Sequence, residues 1–150
     1  MARAIQLSIE NVRSARGGPF GAVVAREGVI LAEGANSVTA CNDPIAHAEI
    51  IAIREACAKL RSFELRGCEL YCSSEPCPMC LGAIYWARPD RVYYANSAED
   101  AARIGFDDAR IYEEMSLPRG ERRIPMLQMM REEAQEAFAA WAELPNKKEY

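Results

Sequence analysis

The chain has 150 residues, half of them hydrophobic, enough to enclose the core of one domain. Its formal net charge of −4 and isoelectric point near 5.2 argue against a protein whose main task is to grip phosphate backbones. It lacks both a run of about eighteen apolar residues and a signal-peptide core, so neither a spanning helix nor secretion is expected.

Ile5, Ile9 and Val12 recur at helical spacing and predict an amphipathic helix from Ala4 to about Ala15, stopped by Gly17-Gly18-Pro19. The apolar runs Phe20 to Ala25 and Val29 to Glu33 flank Glu27-Gly28 and predict a hairpin. A polar loop is expected from Gly34 to Asp43. Pro44 is then expected to open a second helix, with Ile50, Ile53, Cys57 and Leu60 inward and Glu55 and Lys59 paired on the outer side. Cys68 to Ser73 predicts a strand entering the Glu75-Pro76-Cys77-Pro78 turn, and a helix follows from about Met79 to Ala87. Further on, Arg91 to Ala95 predicts a strand, Ala98 to Ile104 a helix and Tyr112 to Met115 a short helix. Ile124 to Met130 predicts a last strand and Glu132 to Glu143 a last helix, before a polar tail from Leu144 to Tyr150. This alternation predicts one α/β domain over 1–150 with helices on both faces of a central sheet.

The chemistry concentrates in two short motifs. The single histidine stands in His47-Ala48-Glu49, and Pro76-Cys77-Pro78-Met79-Cys80 follows. One imidazole and two thiolates suit zinc, and three protein ligands leave one corner for water, as catalytic rather than structural sites do. Such an ion lowers the pKa of a bound water from about 15.7 towards about 7. Glu49 is then a carboxylate not needed as a ligand, free to move protons as base and acid. Both motifs fall at predicted helix N-termini, where the dipole favours thiolates. His-x-Glu followed by Pro-Cys-x-x-Cys is the signature of the zinc deaminases.

Taken singly, each of these residues has an ordinary reading: a surface or core histidine, a redox pair, half of a zinc finger. A closed structural site would need a third thiolate, for which Cys41 or Cys72 is available. Cys41, Cys57, Cys68 and Cys72 are otherwise expected to be reduced thiols of a cytoplasmic protein, with Cys57 and Cys72 acting as small buried hydrophobes.

Beyond the metal motifs, Phe20, Asn36, Asn42-Asp43-Pro44, Glu75, the stretch Leu81-Gly82-Ala83-Ile84-Tyr85-Trp86-Ala87, Gly105-Phe106-Asp107-Asp108 and the closing Asn146-Lys147-Lys148-Glu149-Tyr150 resemble the bacterial guanine deaminases of the cytidine-deaminase superfamily. The resemblance covers nearly the whole chain, with only the first helix a few residues short. It implies a three-layer, five-stranded mixed sheet between helices, one zinc per subunit, and a homodimer that exchanges C-terminal segments. Tyr150 would then close the pocket of the partner; read alone, the tail is simply frayed.

The resemblance places Asp108 against the substrate. Guanine shows N1–H and 2-amino donors on its Watson–Crick edge, which a carboxylate accepts, whereas adenine and cytosine show an acceptor ring nitrogen there. Asp108 by itself also reads as a loop acid or a helix cap before Ala109. Asn36 would read O6 or N7, or else is a turn residue. Phe20 and Trp86 would stack on the base, or else pack in the core. The Ala48 N–H would hold a ring substituent. Asp107 has no assigned role.

The reading reached is hydrolysis of guanine to xanthine and ammonia. Zinc is held by His47, Cys77 and Cys80, water attacks C2, and Glu49 carries the proton to N3 and then to the departing amine. The alternatives are a tRNA adenosine deaminase, a deaminase of guanosine, another nucleoside, cytosine or a triazine, and a non-catalytic zinc-stabilised interaction module.

Overall fold

Alternating small and branched residues make Gly21–Arg26 strand β1, and a two-residue turn at Glu27-Gly28, both at positive φ, returns the chain as β2 (Val29–Ala35). The structure, a computed structural model, describes residues 1–106 and 108–149. β1 pairs antiparallel on its other side with β3 (Glu69–Ser74), and β3 runs parallel to β4 (Arg91–Asn96). Among the described residues the sheet is therefore mixed and four-stranded, in the order β2-β1-β3-β4, and not five-stranded as the resemblance implies, because residues 124–130 form no strand. The helices are α1 (Ala2–Arg13), the short α2 (Val38–Cys41), α3 (Ala48–Leu60), α4 (Pro78–Ala87), α5 (Ala98–Arg103), α6 (Ala109–Ser116) and α7 (Arg131–Glu143).

Two glycines show how the layers stack. A Cβ on Gly34 would lie 2.0 Å from the Ala48 carbonyl oxygen, so α3 presses on that face of the sheet. A Cβ on Gly21 would lie 2.3 Å from the Ala4 carbonyl oxygen, so α1 presses on the opposite face. Gly34 opposes Ala22 and Gly21 opposes Ala35 in the β1–β2 register, which fixes the two faces as alternate residues of one strand. The main core lies under α3 and α4, where Ala22, Val24, Leu70 and Cys72 meet Ala48, Ala52, Ile53 and Ile84. Helices thus cover both faces, as the sequence predicts.

The inner stripe of α1 is not the predicted one. Ile5, Ile9 and Val12 are 38%, 43% and 50% exposed, and the helix buries Ala4, Ser8 and Asn11 instead. The reason is distance: a helix lying against a bare glycine backbone admits only small side chains. Arg3 then fixes the helix rotation with two bonds to the Glu33 carboxylate, at 2.8 and 2.7 Å.

Three other expectations change. β2 runs on to Ala35, and α2 occupies part of the expected loop. Pro44 does not open α3, which starts at Ala48; the Asp43 Oδ1 accepts the Ile45 N–H at 3.0 Å and the Asp43 carbonyl the Ala46 N–H at 3.1 Å, holding 43–47 in turns. Residues 124–130 form no strand. The chain divides into two compact units, Met1–Ala109 and Arg110–Tyr150, and within the second unit this stretch has no strand edge to pair with. Its Ile124, Met126, Leu127, Met129 and Met130 are all exposed. Among the described residues no helix is long and apolar enough to cross a membrane.

Because Gly34 touches the backbone of α3, Gly34→Ala should push that helix off the sheet. We expect a loss of about 3 kcal/mol in urea unfolding, the upper part of the range for overpacking. An unchanged unfolding midpoint would show that the close approach carries no constraint.

Candidate metal centre

β2, β3 and β4 all point their C-terminal ends the same way, with the N-terminal end of the antiparallel β1 beside them. The chain leaves β3 through Glu75-Pro76 into α4, and the Glu75 N–H still bonds the Asn96 carbonyl at 2.9 Å, extending the parallel ladder. At the end of β2 the Ser37 N–H bonds the Ala46 carbonyl at 2.9 Å, which brings the start of α3 to the same sheet end. Two helix N-termini therefore converge there. His47 is the N-cap residue of α3 and Cys77 that of α4, both in extended conformation. Neither side chain makes a capping hydrogen bond.

The two side chains turn towards each other instead. His47 Nδ1 lies 3.6 Å from Cys77 Sγ and 3.5 Å from Cys80 Sγ. The three ligand atoms lie within 4.8 Å of one another, and no fourth His, Cys, Asp or Glu joins the group among the described residues. A tetrahedral zinc with Zn–S of about 2.3 Å and Zn–N of about 2.0–2.1 Å requires S···N separations of about 3.6 Å. The donor set and its spacing fit that ion. Cys41 is exposed, outside the group, and the free Cys72 is buried in the core, so neither closes the site. Cys77, Cys80 and Ile50 form a small buried cluster against Met79 and Ala83, an apolar backing for the ligands.

The electrostatics follow from this packing. The Cys80 thiol donating to Cys77, then the His47 hydrogen bond and charge, bring Cys77 down to about 4 despite its burial. Cys80 is pushed the other way, first by that shared hydrogen bond and then by burial. The Cys77 hydrogen bond raises His47, with smaller contributions from the charges of Glu49 and Asp108. Glu49, in the first turn of α3, is buried, and that burial raises its carboxyl; its own backbone N–H and the Cys80 thiol pull the other way. A carboxylate thus sits beside one ligand without belonging to the metal-binding group.

The remaining predicted residues are brought together unevenly. Asp108 is half-buried and close enough for its charge to act on His47. Asn36 is buried at the exit of β2, its N–H bonded to the Phe20 carbonyl at 3.0 Å. Phe20 meets Phe106 edge to face, with ring centroids 4.8 Å apart, and also packs against the core. The Ala48 N–H belongs to the first turn of α3, where amides have no helical acceptor. Trp86 is 60% exposed and stands six residues beyond Cys80, on another side of α4. Tyr150 and Asp107 lie outside the described residues. The sequence reading missed Asn11, which donates to both the Gly18 and Asn36 carbonyls. An asparagine on a helix reads as solvent-facing; only its phase with Ala4 and Ser8, four and three residues apart, hinted otherwise.

The family model for the cytidine and deoxycytidylate deaminase zinc-binding region matches residues 1–96. Guanine deaminase of Bacillus subtilis is 55% identical over 148 residues, covering 99% of this chain and 95% of that one. Its X-ray structure superposes with a TM-score of 0.96 at 54% identity, over the same shares of the two chains. A structure of guanine deaminase from Nitrosomonas europaea gives a TM-score of 0.68 at 37% identity, covering 71% of this chain and 62% of that one. The tRNA-specific adenosine deaminase of Aquifex aeolicus is 46% identical over 77 residues, 51% of each chain.

If His47, Cys77 and Cys80 are the full protein ligand set, Cys77→Ser and His47→Ala should each drop bound metal well below one ion per chain, while Cys41→Ser keeps it. Metal content by plasma emission spectrometry after gel filtration checks this. Undiminished zinc in both ligand variants would contradict the assignment.

Proposed function

The chain belongs to the zinc-binding cytidine and deoxycytidylate deaminase family, and from that premise we propose that it hydrolyses guanine to xanthine and ammonia. The observation that carries the reading is the coincidence of two things. Likeness to a guanine deaminase extends over almost the whole chain, and the three metal ligands stand beside a buried acid that binds no metal.

His47, Cys77 and Cys80 would hold the zinc, which would supply the Lewis acidity that makes water a nucleophile near neutral pH. Glu49 accepts one proton from water as the water oxygen bonds to guanine C2 and delivers it to N3; it then takes the remaining proton from the C2 hydroxyl and passes it to the exocyclic amine, so that the C2 carbonyl of xanthine forms as the C2–N bond breaks and ammonia leaves. Burial suits Glu49 to both transfers, because a carboxyl with a raised pKa can hold each proton between acceptance and delivery. Asp108 accepts from the N1–H and 2-amino group, Asn36 donates to O6 or N7, the Ala48 N–H holds a ring substituent, and Phe20 stacks on the base.

Assembly completes the site in this reading. The chain forms a homodimer that exchanges C-terminal segments, with Tyr150 contributed to the partner's pocket and Trp86 stacking only where a second chain covers α4. Exposed Phe138, Trp141 and Leu144 in the second unit and Tyr85 and Trp86 on α4 support it, since apolar surface of this extent is usually covered by a partner. The protein works in the cytoplasm on a free base. The acidic balance and the half-length match to tRNA adenosine deaminases disfavour an RNA substrate.

Glu49→Gln should keep one zinc per chain and lose turnover by about three orders of magnitude or more, the combined worth of the two proton transfers. Full activity with zinc retained would remove Glu49 from the mechanism. In an ammonia-release panel of guanine, guanosine, adenine, cytosine, ammeline and an anticodon stem-loop, guanine should give the highest kcat/KM; a preference for the stem-loop would overturn the substrate. In light scattering the full chain should run at twice 16.7 kDa. Deleting Tyr150 should keep that mass and raise KM. A fully active monomer would end the exchanged-tail reading.

A further inference from the structure

We propose that Asn11 is a positioning residue for substrate recognition, holding the Asn36 side chain with its amide nitrogen towards the purine; the inference rests on Asn36 reading the base, as proposed above.

Asparagine is a poor helix-interior residue, because its amide competes with the backbone for hydrogen bonds. Asn11 nevertheless lies in the last turns of α1, only 4% exposed. Its amide is not turned back onto its own helix. Nδ2 gives one hydrogen to the Gly18 carbonyl at 2.9 Å and the other to the Asn36 carbonyl at 2.8 Å. These two carbonyls belong to separate segments, the Gly17-Gly18-Pro19 loop before β1 and the exit of β2. Asn11 therefore clasps together the two chain segments that carry Phe20 and Asn36.

The clasp closes on the Asn36 side chain. The Gly18 N–H donates to Asn36 Oδ1 at 3.3 Å and the Val38 N–H donates to the same oxygen at 3.4 Å. With the oxygen facing two donors, a flipped amide would set its NH₂ against two N–H groups. The orientation is therefore fixed, and the group Asn36 has left to offer is Nδ2, a donor. Guanine presents acceptors at O6 and N7. The segments meet closely: a Cβ on Gly17 would lie 2.2 Å from the Asn36 carbonyl oxygen and 3.0 Å from Asn11 Nδ2. Without the Asn11 amide, the Gly18 and Asn36 carbonyls lose their shared donor, and the hold between the Gly18 loop and the end of β2 is weakened. Asn36 Oδ1 then loses a partner and its amide can turn. His47, Glu49, Cys77 and Cys80 stand on α3 and α4, whereas the Asn11 amide bonds the Gly18 loop and the end of β2.

The test uses full-length, zinc-loaded protein carrying Asn11→Ala, the isosteric Asn11→Asp, Asn36→Ala, or Asn11→Ala with Asn36→Ala. Steady-state guanine deamination and zinc content are read together. Each Asn11 variant should raise KM about tenfold with kcat within about threefold of the parent and one zinc per chain, the pattern of lost binding rather than lost chemistry. The double variant should bind no worse than Asn36→Ala alone, since the first residue acts through the second. If Asn36→Ala leaves KM unchanged, Asn36 does not read the base and the inference falls with that assignment. If Asn36→Ala raises KM while both Asn11 variants stay within twofold of the parent, the Asn36 reading survives and the Asn11 inference alone is overturned. Additive effects in the double variant, or loss of fold or zinc in both Asn11 variants, would make Asn11 a structural residue and overturn the proposal equally.

Discussion

Everything at this site depends on two helix N-termini arriving within a few ångströms of each other. His47 and Cys77 are both N-cap residues, and both forgo the usual capping role to aim at a common point. An N-cap residue is extended while the residue after it is helical, so its side chain projects beyond the end of the helix. That lets α3 and α4 each place a ligand at the shared end of the sheet. Cys80, one turn into α4, completes the set from the same helix as Cys77. The four-stranded sheet supplies the separation and direction of the helices, and close contact at Gly34 sets the height of α3 above it.

The same geometry divides labour among the charged groups. Helix dipoles and the hydrogen bonds from Cys80 and His47 favour anionic sulfur at Cys77, while the apolar backing of Ile50, Met79 and Ala83 opposes unpaired charge. Glu49 sits two residues from His47 yet outside the metal-binding group, in surroundings that make it hold a proton more tightly than an exposed acid. An acid that ligated the ion would have its basicity lowered by the metal's charge. Its place outside the ligand set leaves it free for the proton transfers proposed above.

On the far face of the sheet, α1 answers to steric demands rather than hydrophobic ones. Bare backbone at Gly21 admits Ala4 and Ser8 where isoleucine would not fit, and the helix turns its isoleucines outward. That rotation also carries Asn11 inward, to the seam between the Gly18 loop and the end of β2. A packing constraint far from the metal thus places a buried amide next to the residue proposed to read the purine.

Much of this was legible in the sequence. Periodicity located nearly every strand and helix of the first unit to within a few residues, because apolar spacing reports local backbone geometry directly. Residue chemistry named the metal ligands and Glu49, because one histidine and a Cys-x-x-Cys have few other uses in such a pattern. Three features were decided only by tertiary structure. Which face of α1 is buried depended on a glycine in a strand it touches. The start of α3 depended on Asp43 bonding the turn residues 43–47 out of the helix that Pro44 suggested. The strand expected at 124–130 depended on an edge that its own unit does not offer. Local pattern fixes what a segment prefers by itself; which neighbour comes close enough to hold or overrule that preference is settled only when distant parts of the chain meet.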